Sequence, residues 1–189
     1  MSSVAKLALH RGPNSEVYFP VLRRGVRALM RHINNLGIAL VKKHEELKLH
    51  ASLASDGQVT IGYGHVGRGI EVGREITEDE ADLLLLSDLA QLGERVLERV
   101  SVPLNDNEFS VIVSLAFAIG IRRLSQSTFL RLLNRGEKAR AADAIMWLGQ
   151  PDEYCSHNVV TVISNRRRDE KALFLRRPDG GLRQEQEGK

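Results

Sequence analysis

The chain is short of almost everything that would staple, span or chelate. It has one cysteine, Cys155, so no internal disulfide can form. That thiol reads as a small, partly buried apolar group. The six histidines include no His-Glu-x-x-His pair, so neither a metal nor any other cofactor is expected. No apolar run approaches the roughly 20 residues that cross a bilayer. The opening residues, Met1 to Pro13, carry too short an apolar stretch for a secretory signal. The expectation is synthesis in the cytoplasm, with any passage outward needing another component. Aromatics make up only 5% of the 189 residues, so leucine, isoleucine, valine and alanine must fill the core, and a hydrophobic content of 42% suffices for one. Charge is nearly balanced, at +3 net, although the pI is about 9.2. That permits attraction to nucleic acid, an anionic membrane surface or a cell-wall mesh without requiring any of them.

What is present is a helical pattern interrupted once. Residues 1–36 read as an extension. From about Phe19 its apolar residues recur at spacings of three and four, interleaved with Arg23, Arg24, Arg27 and Arg31. Such a basic amphipathic helix docks with its arginines in water or faces an anionic envelope. A basic stripe without a recognition motif is weak support for nucleic acid, which is not expected. A second helical stretch runs from about Gly37 to Leu49. The spacing then changes: Asp56-Gly57 is a hairpin signal, and Val59 and Ile61 alternate with Thr60 and Gly62. Beyond it the chain is helical again. Thr77 precedes an acidic turn, Asn105 stands three residues before Glu108 as in a capping box, and Val111 to Ile119 is apolar nearly all round. Gly136 and Gly149 close two shorter helices, and Ser164 to Leu175 forms the last. The class is α+β, predominantly helical, with a small antiparallel hairpin sheet. The main domain is expected over 37–177, split into 37–68 and 69–177, with a disordered tail at 178–189.

Two adjacent glutamates, Glu45 and Glu46, stand just before the strand segment, and "TIGYGH" begins fifteen residues after Glu45. Taken alone, paired glutamates are usually solvated surface charges. In this setting they resemble the phage-type lysozymes, the muramidase family of phage endolysins. "VKKHEELKL", "TIGYGH", "ITEDEADLLLLSDL", "PLNDNEFSVIVSLAFAIG", "STFLRLLNRGEKARAADAIMWL" and "NRRRDEKALFL" match its blocks in order, over roughly residues 38–175.

The resemblance implies a two-lobed lysozyme-like fold, with a glycan groove between a small sheet and a helical C-terminal lobe. It implies a glycoside hydrolase that cleaves between N-acetylmuramic acid and N-acetylglucosamine in peptidoglycan. The partner would be glycan strands, the site of action the cell wall after release, and the state a monomer. Glu45 matches the proton donor; partial burial beside Val41 and Leu49 would keep the proton on it. Thr60 matches the threonine that orients the attacking water. Gly62 and Gly64 would admit a sugar closely, and Tyr63 would stack on one or simply pack. His65 matches a family histidine, with a structural role expected. Arg166 and Arg167 match an arginine pair, one of them bracing the lobe or meeting an acid near Glu45.

The second acid departs from the family. The usual aspartate, nine residues past the donor, is Ala54 here, and Asp56 lies two residues further on. Two readings stand. Either Asp56 serves as base or electrostatic stabiliser, or it only makes the Asp-Gly turn and the second carboxylate is missing. His44, Glu46, Ser52, Ala118 and Val162 also replace residues usual in the family. Together these departures point to an alternative: a glycan-binding or structural protein with weak or lost hydrolysis.

Overall fold

The computed structural model describes residues 31–54, 56–67, 69–149 and 157–177. The expected basic segment with Arg23, Arg24 and Arg27, the thiol of Cys155 and the tail at 178–189 lie outside the described residues.

Helix α1 spans Asn35–His44. Asn34 caps it by accepting the Gly37 amide at 2.9 Å. The same asparagine donates to Asn107 at 2.8 Å, and its backbone amide donates to Ser110 Oγ at 3.0 Å. Arg31 donates to the Leu104 carbonyl and to Asp106, and its guanidinium lies over the Phe109 ring. The expected boundary at residue 36 therefore falls inside a helix whose lead-in already packs on the main domain. At Gly37 the helix crosses so close that an added Cβ would sit 2.5 Å from Ser110 Cβ.

The helix also ends sooner than its periodicity implies. Glu45 is extended (φ −105°, ψ 142°), and Lys48–Leu53 is strand β1. Leu49 is thus not on the helical face with Val41. Apolar spacing alone did not separate the two states; the ladder did. β1 pairs antiparallel with β2 (Val59–Gly62), with Ser52 opposite Thr60 and Leu53 opposite Val59. Four residue steps on β1, from Lys48 to Ser52, face two on β2, so the strand bulges there. On its other edge Ala51 donates to the Arg74 carbonyl at 2.8 Å, and Ile76 donates to the Leu49 carbonyl at 3.0 Å. The sheet lobe therefore extends through residue 76, past the expected division at 68.

Six further helices follow among the described residues: α2 (Glu78–Leu97), α3 (Asp106–Ile119), α4 (Ile121–Ser125), α5 (Thr128–Asn134), α6 (Lys138–Ile145) and α7 (His157–Leu175). Thr77 and Asn105 each form a full capping box, with Glu80 and Glu108. The Thr77 hydrogen bonds hold the Glu80 carboxyl below its ordinary range. As its all-round apolarity predicts, α3 is the central element. Every residue from Asn107 to Ala116 is buried, and α1, α2, α4 and α7 pack around it. Phe129 and Phe174 meet edge to face at 5.8 Å, joining α5 to α7. α4, with Ile121 and Leu124 inward, has no counterpart in the sequence reading; at five residues it is too short to show a period.

Candidate active site

Glu45 caps the C-terminal end of α1. Its amide reaches the Val41 carbonyl at 3.0 Å, which fixes the backbone, and its side chain is 24% exposed. It is therefore neither a solvated surface charge nor fully buried. Its carboxylate meets Arg166 of α7: Nη1 donates to Oε1 at 2.6 Å. The arginine pair had two roles open to it, bracing the lobe or meeting an acid near Glu45; Arg166 contacts Glu45 itself, 121 positions away in sequence.

Arg166 is held from behind. Its Nε donates to Glu170 Oε1 at 3.2 Å, and Nη2 reaches the Ser114 carbonyl at 3.5 Å. Glu170 is fully buried and accepts from Ser114 Oγ at 2.8 Å and from Arg167. Arg167 also donates to the Leu148 carbonyl at 2.9 Å. Burial pulls the Arg167 guanidinium below its ordinary range, and the Glu170 charge opposes that. One buried carboxylate is therefore shared by two buried arginines, and Arg166 alone of the pair reaches the site, where Glu45 supplies the second negative charge. Sequence reasoning missed Glu170. Its signal was present: it stands at i+4 from Arg166 and i+3 from Arg167, the two spacings that share a helical face.

Next to Glu45, His44 Nε2 lies 2.7 Å from Asp169 Oδ2, and Lys43 donates to the same oxygen at 2.8 Å. The Lys43 hydrogen bond, and then that of His44, hold the Asp169 carboxyl below its ordinary range against the opposing effect of burial.

The sheet residues are placed differently. Thr60 is half-buried in β2, directly across from Ser52, so the two side chains share a face. Asp56 is exposed in the turn, and its Oδ1 accepts the Gln58 amide at 3.1 Å. Gly57 takes a φ of 81° beside it. The turn role of Asp56 is therefore real, and Ala54 closes the same turn by donating to the Gln58 carbonyl at 2.8 Å. Tyr63 packs half-buried against the core, with the Lys42 ammonium 5.5 Å from its ring centroid. Gly62 is buried with a φ of 64°, its Cα facing Ala81; Gly64 is exposed at 90°. His65 Nδ1 pairs with Asp88 of α2 at 2.8 Å, tying the end of the hairpin to that helix. The described residues contain no group of three or more potential metal ligands.

Residues 42–170 match the phage lysozyme family. The chain belongs to that family. It is 36% identical to the endolysin of Salmonella phage P22, over 77% of this chain and 99% of that one. The endolysin of Acyrthosiphon pisum secondary endosymbiont phage 1 is 34% identical over 143 residues, 76% of this chain and 97% of that protein. Among solved structures, the muramidase domain of SpmX from Asticaccaulis excentricus is 37% identical. It superposes with a TM-score of 0.71 over 78% of this chain and all of that one. A P22 lysozyme crystal structure gives 0.65 at 35% identity, over 77% and 99%. For this phage-lysozyme chain the lysozyme-like fold is thereby established, as is its class as a glycoside hydrolase.

Proposed function

We propose that this phage-type lysozyme cleaves the glycosidic bond between N-acetylmuramic acid and N-acetylglucosamine in peptidoglycan, with Glu45 as proton donor. The supporting observation is the Glu45–Arg166 contact: a carboxylate at the junction of α1 and the sheet, partly shielded, with a braced guanidinium fixing its direction. To act, Glu45 keeps Oε1 on Arg166, takes a proton from solvent on Oε2 and hands it to the glycosidic oxygen, while water attacks the opposite face of the sugar and sheds its own proton to bulk water. The Thr60 hydroxyl orients that water. Asp56 makes the turn and takes no part in the chemistry. The reaction then runs with one carboxylate where the family pattern has two, and turnover is correspondingly slow.

The relatives' names, endolysin and muramidase, agree with a cell-wall substrate and with action there after release. The chain works as a monomer on glycan strands. Arg23, Arg24 and Arg27 supply attraction to the anionic envelope. Arg31 contributes least to this, because Asp106 and the Leu104 carbonyl already hold it. Deleting residues 1–30 should weaken envelope binding, and unchanged binding removes this part of the reading.

The test is clearing of a peptidoglycan suspension. Glu45→Gln should abolish clearing, and Ala54→Asp should speed it by restoring an acid nine residues past the donor. If Glu45→Gln clears as fast as the parent, the donor assignment is wrong. One observation favours a second reading: Ala54 carries no carboxylate, and one oxygen of the exposed Asp56 already serves its turn. A lysozyme-like glycan-binding protein would retain glycan strands without clearing them, and the same assay separates the two.

A further inference from the structure

We propose that His44 and Asp169 are a positioning pair for the proton donor: they seat the Glu45 carboxylate against Arg166 by clasping the end of α1 to a single turn of α7. The inference rests on Glu45 being that donor.

Three consecutive residues carry the argument. Lys43, His44 and Glu45 all reach α7, the first two at Asp169 and the third at Arg166. Arg166 and Asp169 are three positions apart on that helix, so both contacts fall on one turn. The signs cross. α1 offers cationic or hydrogen-bonding groups to an acid and an acid to an arginine. A slip of one helix past the other would bring Glu45 toward Asp169 and Lys43 toward Arg166, which like-charge repulsion disfavours.

Glu45 needs such help, because it has already left the helical conformation. Its amide still binds Val41, but nothing further in α1 aims its side chain. On the α7 side, Arg166 is fixed by Glu170 and by the Ser114 carbonyl. On the α1 side the matching constraint is the neighbouring residue, His44. Its imidazole is 9% exposed and so nearly shut away from water. A buried ring nitrogen makes its hydrogen bond or forfeits stability. The Lys43 arm is 64% exposed and contributes little by itself, so the buried imidazole arm does the aiming. The depressed Asp169 carboxyl agrees with an anion held by both donors. Misplacing a reacting group by about 1 Å costs on the order of a hundredfold in rate, so loosening this clasp should show in turnover.

The full chain serves for the test, with soluble glycan fragments of peptidoglycan as substrate and kcat and KM measured separately. Asp169→Asn and His44→Phe should each lower kcat by about tenfold with KM within about twofold, since ground-state sugar contacts are untouched. The double variant should lose no more than either single one, because both remove the same interaction. His44→Gln, whose amide can still donate to Asp169, should recover most of the loss. Independently of turnover, the carboxyl carbon resonance of Glu45 in a glutamate-labelled chain should move in Asp169→Asn. Thermal melting shows whether each variant is folded, and the resonance decides the matter where turnover is too slow for kinetics. Folded variants with parental kcat and an unmoved Glu45 resonance, beside an inactive Glu45→Gln, refute the clasp and leave the donor standing. Parental turnover in Glu45→Gln overturns the donor assignment, and the clasp with it.

Discussion

Glu170 is the residue whose removal the structure prices most sharply. It is fully buried and accepts from Ser114 Oγ, from Arg166 and from Arg167. Replacing it with alanine strips the anion from two arginines that are 8% and 3% exposed. Each keeps only part of its bonding: Arg167 the Leu148 carbonyl, Arg166 the Glu45 carboxylate and the Ser114 carbonyl. Removing one partner of a buried ion pair costs about 3–5 kcal/mol, because the other charge stays behind uncompensated. The stranded Ser114 hydroxyl adds about 1 kcal/mol. Water entering the vacated space returns some of this, so we expect a loss of about 4 kcal/mol from a total of roughly 5–15. For a chain of this size that lowers the melting temperature by about 8–16 °C. Urea unfolding at neutral pH, followed by circular dichroism, measures it directly. Glu170→Gln, which keeps an acceptor oxygen but not the charge, should lose less. A loss below about 1 kcal/mol in Glu170→Ala would mean that the arginines find other acceptors, and that Glu170 is not what holds Arg166 in place.

Other outcomes follow from the same contacts. Gly37→Ala gains about 1 kcal/mol of helix propensity, but its Cβ would meet Ser110 Cβ at 2.5 Å, so a net loss of about 1–2 kcal/mol in urea unfolding is expected; a stabilised variant would show that α1 and α3 can separate freely. The Asp169 carboxyl is held below its ordinary range, so its contribution is fully present above the unfolded-state value of about 4 and is lost as pH falls through the lower folded value. The parent should therefore be more stable than Asp169→Asn at neutral pH, with the gap closing on acidification below about pH 4, as read from melting temperatures across pH. A gap that instead widens on acidification would contradict that sign. Asp88→Asn should weaken the tie from His65 to α2 and speed amide exchange in the hairpin ahead of the rest of the chain; uniform exchange would argue against that tie.

Local sequence determined a good deal of this protein. The helix start at Thr77, the capping box at Asn105, the Asp-Gly turn and the all-round apolarity of α3 are short-range signals, and each formed where it was expected. The class and the donor candidate came from the resemblance of six ordered blocks to the phage-type lysozymes, and the family match over residues 42–170 agrees with the class. Tertiary structure decided what lies between distant segments. The end of α1 at His44 depended on β1 finding partners on both edges, since apolar spacing over 37–49 suited either state. No local pattern says that Arg166 belongs to Glu45 or that Asp169 belongs to His44, and the spacing that puts Glu170 on one face with both arginines does not say that this face is buried. Those pairings exist because packing α1 and α7 against α3 leaves each buried charge only a few places to find its opposite.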